Sequence, residues 1–423
     1  VVQRLFGKWR NLAAFLVAVA LLSAASGIYE ATFNNYMADG FSLTAAQRGA
    51  LEFPRELPGF LTVLFVAGLA FMCETRIAAL AALATGLGMW GLLFSSGSWG
   101  WMIAALLLWS VGTHLIMPVR STIAMDLAQD PAKRGRLLGQ ISGVAIAAQV
   151  VGCGVVWWLL SSNPRAYGRV FASGGTLALL AGVFLLLMRM PGAHIKRPRL
   201  VWKRRYWLFY VLSFLFGARK QIFITFGPWV LVKIFNQKPV IFAQLMIAAA
   251  LLGMLFQPLL GRAIDRFGER RVLMADAIVI AAVCLGYGFA DRIGERVWAL
   301  RTLYACYICD ILFFSTGMAR DIYVSKIAER REDVAPTLSL GVSINHVVSM
   351  SIPALGGWMW MRYGHGSVFT AAAAVAVVMF VFASRVRLPA PTPREQDCDT
   401  SIQRPTSTHP HPPTHPHTPN NPK

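Results

Sequence analysis

Charged and amide side chains interrupt the long apolar runs of this chain, and these are the residues whose chemistry demands an explanation. Glu30, Asn34 and Asn35 fall late in the first run, and Glu52, Arg55 and Glu56 fall in the next; His114, Arg219, Lys220, Asp310, Asn345 and His346 stand inside later ones. A charge placed in hydrocarbon costs roughly 2.5–3.5 kcal/mol on insertion scales unless it is paired or faces water, so each is a candidate to bind a solute or an ion. Glu30 and Asn34 are four apart and share a helix face. Arg219 can grip an oxyanion with two parallel N–H donors, with Lys220 adding field or pairing with a carboxylate. Adjacent helical residues point about 100° apart, so the two cannot both aim at one ligand, and Arg219 is the expected contact. Glu30, Glu56 and Asp310 are candidate proton carriers. Asp310 is the expected coupling acid, because Tyr307, Ile308, Ile311, Leu312, Phe313 and Phe314 surround it in sequence, and Glu30 is expected mainly to bind. A competing reading makes Asp310 the buried partner of Arg219 or Lys220.

The elements that position these residues follow from composition. With 56% hydrophobic and only 14% charged residues and a mean hydropathy of +0.53, the chain is a polytopic membrane protein and not a soluble enzyme. Its formal charge of +20 sits in short loops between apolar runs, which excludes a nucleic-acid partner and leaves the lipid bilayer. Twelve spans are expected near 11–37, 47–72, 77–95, 99–125, 138–160, 170–188, 206–232, 241–260, 272–290, 298–321, 339–361 and 367–383. With the first segment inside, cytoplasmic segments hold 26 Lys and Arg against 9 outside, residues at span ends being counted with the loops. The positive-inside rule then places both termini in the cytoplasm. The chain divides into a basic lead (1–10), a first six-helix bundle (11–188), a basic linker (189–205), a second bundle (206–388) and a tail (389–423) too rich in Pro, Thr, His and Asn to fold. His409, His411, His415 and His417 in that tail are either solvated or able to take a transition metal. Cys306 and Cys309 form a C-x-x-C in mid-helix and are expected to pack, not to react.

Internal repetition relates the halves. Thr32, Phe33 and Gly68 recur as Thr225, Phe226 and Gly261, and Gly139 and Gly154 recur as Gly341 and Gly356. The first offset sets Glu52, Arg55 and Glu56 opposite Leu245, Ala248 and Ala249, well inside the eighth span, so the triplet belongs within the second helix, where Pro54 and Pro58 would bend it. Two readings of the triplet stand side by side: a functional charge cluster, or Glu52 or Glu56 pairing with Arg55 or Arg48 to stabilise the bundle.

Between the eighth and ninth spans lies Gly261-Arg262-Ala263-Ile264-Asp265-Arg266-Phe267-Gly268-Glu269-Arg270-Arg271. The pattern Gly-x-x-x-Asp-Arg-x-Gly-x-Arg-Arg between two spans resembles the signature loop of the major facilitator superfamily, kept here in Gly261, Asp265, Arg266, Gly268, Arg270 and Arg271. In the corresponding first-half stretch Met72 stands where the repeat expects the aspartate. The resemblance implies an all-α membrane protein of twelve transmembrane helices in two pseudo-symmetric six-helix bundles. It also implies a cavity lined by the first, fourth, seventh and tenth helices and flanked by the second, fifth, eighth and eleventh. Asp265 would pair near Arg270 and Asp321 to hold one conformation shut. Arg120 and Arg320 fall near the cytoplasmic end and are expected to be structural, and small residues in the fifth helix (Gly139, Gly143, Gly152, Gly154) would let helices approach closely. The eleventh helix carries half of an antiporter pattern, Pro353-x-x-Gly356-Gly357, that belongs in the fifth, and the fourth has Leu108 where proton-coupled members carry arginine, which weakens drug/proton antiport.

No nucleotide-binding loop, Ser/His/Asp arrangement or resident cofactor or metal is expected, so the chain is not read as an enzyme. The expectation is a multi-pass inner-membrane secondary transporter that moves a small polar solute by alternating access, driven by an ion gradient, with protons as the candidate ion, or by the solute's own gradient. Arg219 and Lys220 point to a carboxylate, phosphate or sulfonate on the solute, and a zwitterion or a polar sugar are the alternatives. The alternatives are drug or metabolite efflux and a transport-dead sensor or scaffold on the same fold.

Overall fold

The computed structural model describes residues 2–69, 71–95, 97–128, 134–188, 190 and 202–387. The expected tail, with His409, His411, His415 and His417, and most of the linker 189–205 lie outside them. Within the unit Val1–Val386 the chain runs as α1 (Val2–Phe41), α2 (Ala45–Ala50), α3 (Glu52–Phe60), α4 (Thr62–Gly68), α5 (Glu74–Leu93), α6 (Trp99–Leu127), α7 (Arg134–Ser162) and α8 (Tyr167–Leu186). It continues as α9 (Trp207–Lys233), α10 (Pro239–Gly288), α11 (Arg296–Phe313), α12 (Gly317–Ile327), α13 (Arg331–Tyr363) and α14 (His365–Ala383). The expected lead falls in the first turns of α1.

Among the described residues, ten helices have the length and composition to cross a membrane. That number reaches twelve for two local reasons. The 50-residue α10 is two spans, because Gly268 sits between them at φ 79, ψ 161, a backbone conformation open to glycine and costly for a residue with a Cβ. The second span, by contrast, is too broken to register as one helix. Thr44 and Gln47 form a capping box that starts α2, after which turns at Leu51 and Leu61 divide α2, α3 and α4, and Pro58 inside α3 has no N–H for the helix ladder. The Thr62 hydroxyl donates to the Pro58 carbonyl at 2.9 Å and satisfies part of what the bend frees.

Packing gives the two ends of the molecule different characters. At the end far from the chain termini, one apolar core joins both halves: Ile28, Tyr29, Met37 and Leu51 of the first pack in the same cluster as Phe226, Trp229, Phe242 and Leu245 of the second. At the near end, where α1 begins and α14 ends, there are two cores. One holds Phe15, Ile77, Val119 and Leu185, and the other holds Tyr206, Leu212, Leu273 and Val324. The halves are therefore closed together at the far end and separate at the near end.

Glycine makes the far-end seam possible. A Cβ on Gly49 of α2 would stand 2.1 Å from the Pro353 carbonyl oxygen of α13, and one on Gly357 would stand 2.5 Å from the Ala45 oxygen. Gly49→Ala is expected to cost about 1–3 kcal/mol in this state, the usual scale of overpacking. The melting temperature of purified protein should fall, and cysteines placed on the far face should label faster. An unchanged melting temperature together with unchanged labelling would show that the seam gives way freely.

Candidate functional site

Where the joined core ends, a cavity of about 440 Å³ opens between the halves. Its wall carries Glu30 and Asn34 from α1, Arg55 and Glu56 from α3, His114 from α6, Lys220 from α9, Asp310 from α11 and His346 from α13. Eight of the residues singled out in the sequence thus come together from six helices. Asn35 points elsewhere: its amide donates to the Gln237 carbonyl at 2.7 Å, across the far-end seam. Asn345 lies against Gly217, whose missing Cβ leaves its side chain room.

The broken second span supplies the densest charge. Arg48, at the end of α2, donates to the fully buried Glu52 and also, at 3.0 Å, to the Asn34 amide oxygen. Arg55 meets the other Glu52 oxygen at 2.5 Å and Glu56 Oε1 at 2.8 Å. Gln221 of α9 donates to Glu52 at 2.8 Å from the second half. Two guanidiniums and two carboxylates alternate along one face, so each charge has an opposite neighbour. The spacing explains it, since positions 48, 52, 55 and 56 recur at three and four residues. Ser110 of α6 donates to the Arg55 carbonyl, which pins the bend to its neighbour.

Glu56 turns its second oxygen to two histidines. His346 Nδ1 lies 3.1 Å from Glu56 Oε2 and His114 Nε2 lies 3.9 Å from it. His114 Nδ1 faces the Ser110 carbonyl at 2.9 Å and the Ser110 hydroxyl at 3.0 Å. The two rings stand 5.1 Å apart at 71°, close because Gly59 between them has no side chain.

In the seventh span the two adjacent cations diverge, as 100° of helical rotation requires. Lys220 lines the cavity. Arg219 points away from it, almost wholly buried, with Nη1 2.7 Å from Asp310 Oδ1 and its guanidinium over the Phe216 ring at 5.2 Å. Arg320 covers the same ring at 4.3 Å. The sequence reading that made Arg219 the solute contact therefore meets a different geometry: of these two neighbours Lys220 lines the cavity, and Arg219 is the partner of Asp310.

Among the described residues, Glu30 accepts hydrogen bonds from neutral donors alone, the Ser26 hydroxyl at 3.1 Å and the Gln149 amide at 3.2 Å. Gln149 reaches it because α7 crosses α1 at Gly27, where a Cβ would stand 2.5 Å from the Gln149 carbonyl oxygen. Tyr29 stacks on Trp109 at 3.7 Å, and with Phe33, Phe223 and Tyr307 they form the aromatic part of the wall. Sequence reasoning passed over Gln149, although a lone amide in the middle of an apolar span was the available signal.

The signature loop lies at the near end, away from the cavity. Gly261 faces open space, Asp265, Arg266, Arg270 and Arg271 are exposed, and Asp321 approaches Arg320 at 3.9 Å. The expected pairing of Asp265 with Arg270 and Asp321 is absent among the described residues. With the near ends apart there is nothing for that gate to close against. The buried acid of the loop is instead Glu269, paired with Lys326 at the end of α12. Lys203 lies 2.6 Å from Asp333 and 3.0 Å from Glu329, and these hydrogen bonds raise the Lys203 ammonium above its ordinary pKa. Arg120 is exposed and Asp276 is fully buried, with its Oδ1 accepting from the Thr316 hydroxyl at 2.9 Å.

A family model described as Major Facilitator Superfamily matches residues 15–335 and 209–410 of the chain. No curated protein matches it. Among solved structures it is similar to the nucleoside transporter NupG, at 13% identity and a TM-score of 0.70 over 89% of this chain and 100% of that one. It is also similar to a bacterial homologue of the human lysosomal transporter Spinster in an inward-facing, occupied conformation, at 15% identity and a TM-score of 0.70 over 90% and 98%. A D-xylose–proton symporter aligns at 16% identity and a TM-score of 0.64 over 91% and 98%.

Proposed function

Because the chain belongs to the major facilitator superfamily, we propose that it carries a small organic anion together with a proton by rocking its two halves about the central cavity. The observation that carries this reading is a mismatch in pairing. Among the described residues that line the cavity, Arg48, Arg55, Glu56 and Asp310 are each in an ion pair, whereas Lys220 and Glu30 are in none. Lys220 has a charge to offer an anionic group on the solute. Glu30 can gain and lose a proton without breaking an ion pair, and that moves the coupling role to it from Asp310. An anion and a proton taken together cross without net charge, which suits a site walled by Tyr29, Phe33, Trp109 and Tyr307. On the positive-inside count the near end faces the cytoplasm, so the state described is open inward and sealed outward. The family and this geometry favour a carrier over the sensor reading, which has no use for an unpaired cation in a cavity.

Two substitutions test the assignment in proteoliposomes, after a thermal-shift screen of carboxylates, phosphates and sulfonates has identified a solute. Lys220→Gln should weaken binding of that anion roughly ten- to a hundredfold, the worth of a charge-assisted hydrogen bond. Glu30→Gln should abolish accumulation driven by a pH gradient and leave solute exchange measurable. Full affinity in the first, or gradient-driven accumulation in the second, would remove that residue from the mechanism.

A further inference from the structure

We infer that Glu56, His114 and His346 form a binding site for a divalent transition-metal ion that bridges the two halves of the protein. One ligand atom from each lies within 4.8 Å of the other two. A metal with bonds of about 2.0–2.1 Å needs tetrahedral ligands about 3.3 Å apart, so side-chain shifts of the order of 1 Å complete the set. Two of the three ligands, His114 and Glu56, are already oriented by a further partner. The Ser110 carbonyl accepts a hydrogen bond from His114 Nδ1–H and leaves Nε2 free towards Glu56, the arrangement that fixes the tautomer of a ligating histidine. Arg55 occupies Glu56 Oε1 and leaves Oε2 for the ion. All three residues line the cavity, so a fourth position is open to water or to a small anion. Two imidazoles and one carboxylate suit zinc, cobalt, nickel or copper better than magnesium or calcium. Lys220 leaves a surplus of positive charge nearby, and hydroxide, chloride or the carboxylate of a solute in the open position would balance it.

The position of the ligands gives the ion a consequence. Glu56 and His114 belong to the first half and His346 to the second, so the set is complete only while the halves keep this arrangement. An ion that binds one state and not the other holds the protein in that state. Bound metal should therefore slow the transport cycle.

The probe is Zn2+ alone, added to purified full-length protein. Histidine modification by diethylpyrocarbonate, read residue by residue by mass spectrometry, separates this site from the histidines of the tail. Micromolar Zn2+ should protect His114 and His346, and competition with a chromophoric chelator should count one Zn2+ fewer in His114→Asn/His346→Asn than in the unaltered chain. Zn2+ should also raise the melting temperature of the unaltered protein more than that of the double variant. The inference is overturned if Zn2+ protects only tail histidines, or if the unaltered chain and the double variant bind equal numbers of ions. The footprint on the unaltered chain decides the matter even if the double variant does not fold.

Discussion

Glu52→Gln is expected to leave little folded protein in the membrane. The carboxylate is fully buried and serves Arg48, Arg55 and Gln221 at once. Its amide analogue keeps the shape and one acceptor oxygen but not the charge, so two guanidiniums face each other across a neutral group. Removing one member of a buried ionic set costs about 3–5 kcal/mol, comparable with much of the stability of an ordinary domain. Size-exclusion yield and melting temperature measure it, and adding Arg48→Met should recover part of the loss by deleting one surplus charge. Wild-type yield and melting temperature in Glu52→Gln would mean that water reaches this cluster freely.

Asp310→Asn is the second large effect. Arg219 is 1% exposed, and its Nε and Nη2 have no hydrogen-bond partner among the described residues, so the contact with Asp310 is the principal compensation for its charge. The single variant should lose about 3–5 kcal/mol, and Asp310→Asn/Arg219→Met should recover most of it, because replacing both partners removes the unpaired charge. The double variant should also retain pH-driven accumulation. If Asp310→Asn keeps its stability and loses only that accumulation, Asp310 is the coupling acid and Glu30 is not.

The contrast between these two clusters shows what could be read from the chain alone. The internal repeat placed Glu52, Arg55 and Glu56 inside a helix, and their three- and four-residue spacing put them on one face. Both are local properties of a sequence, and pairing within the triplet follows from them. The partner of Asp310 is 91 residues away, and its choice between Arg219 and Lys220 depends on how α9 is rotated against α11. Two adjacent cations give a hydrophobic pattern almost no leverage on that rotation, so the cavity-facing residue was assigned to the wrong neighbour. The same limit applies to the histidines. His114 and His346 were each visible as a polar residue in an apolar span, but nothing local says that Gly59 lets them meet. The signature loop was legible as a turn between two spans, whereas its ion pairs depend on which end of the molecule is closed.

Gly139 and Gly143 in α7 and Gly261 in α10 have open space where a Cβ would stand, unlike Gly152 further along α7, where it would meet the Ala24 carbonyl oxygen at 2.1 Å. Empty surroundings for small residues on the near-end halves of helices are what a docking face looks like before it docks. A screen for heat-resistant variants would therefore misjudge these positions. It would grade larger residues there as harmless, or as improvements, since alanine favours a helix over glycine by roughly 1 kcal/mol. The damage would fall on the opposite state, which such a screen never samples, and the most robust molecules it returned would be the ones that no longer turn over.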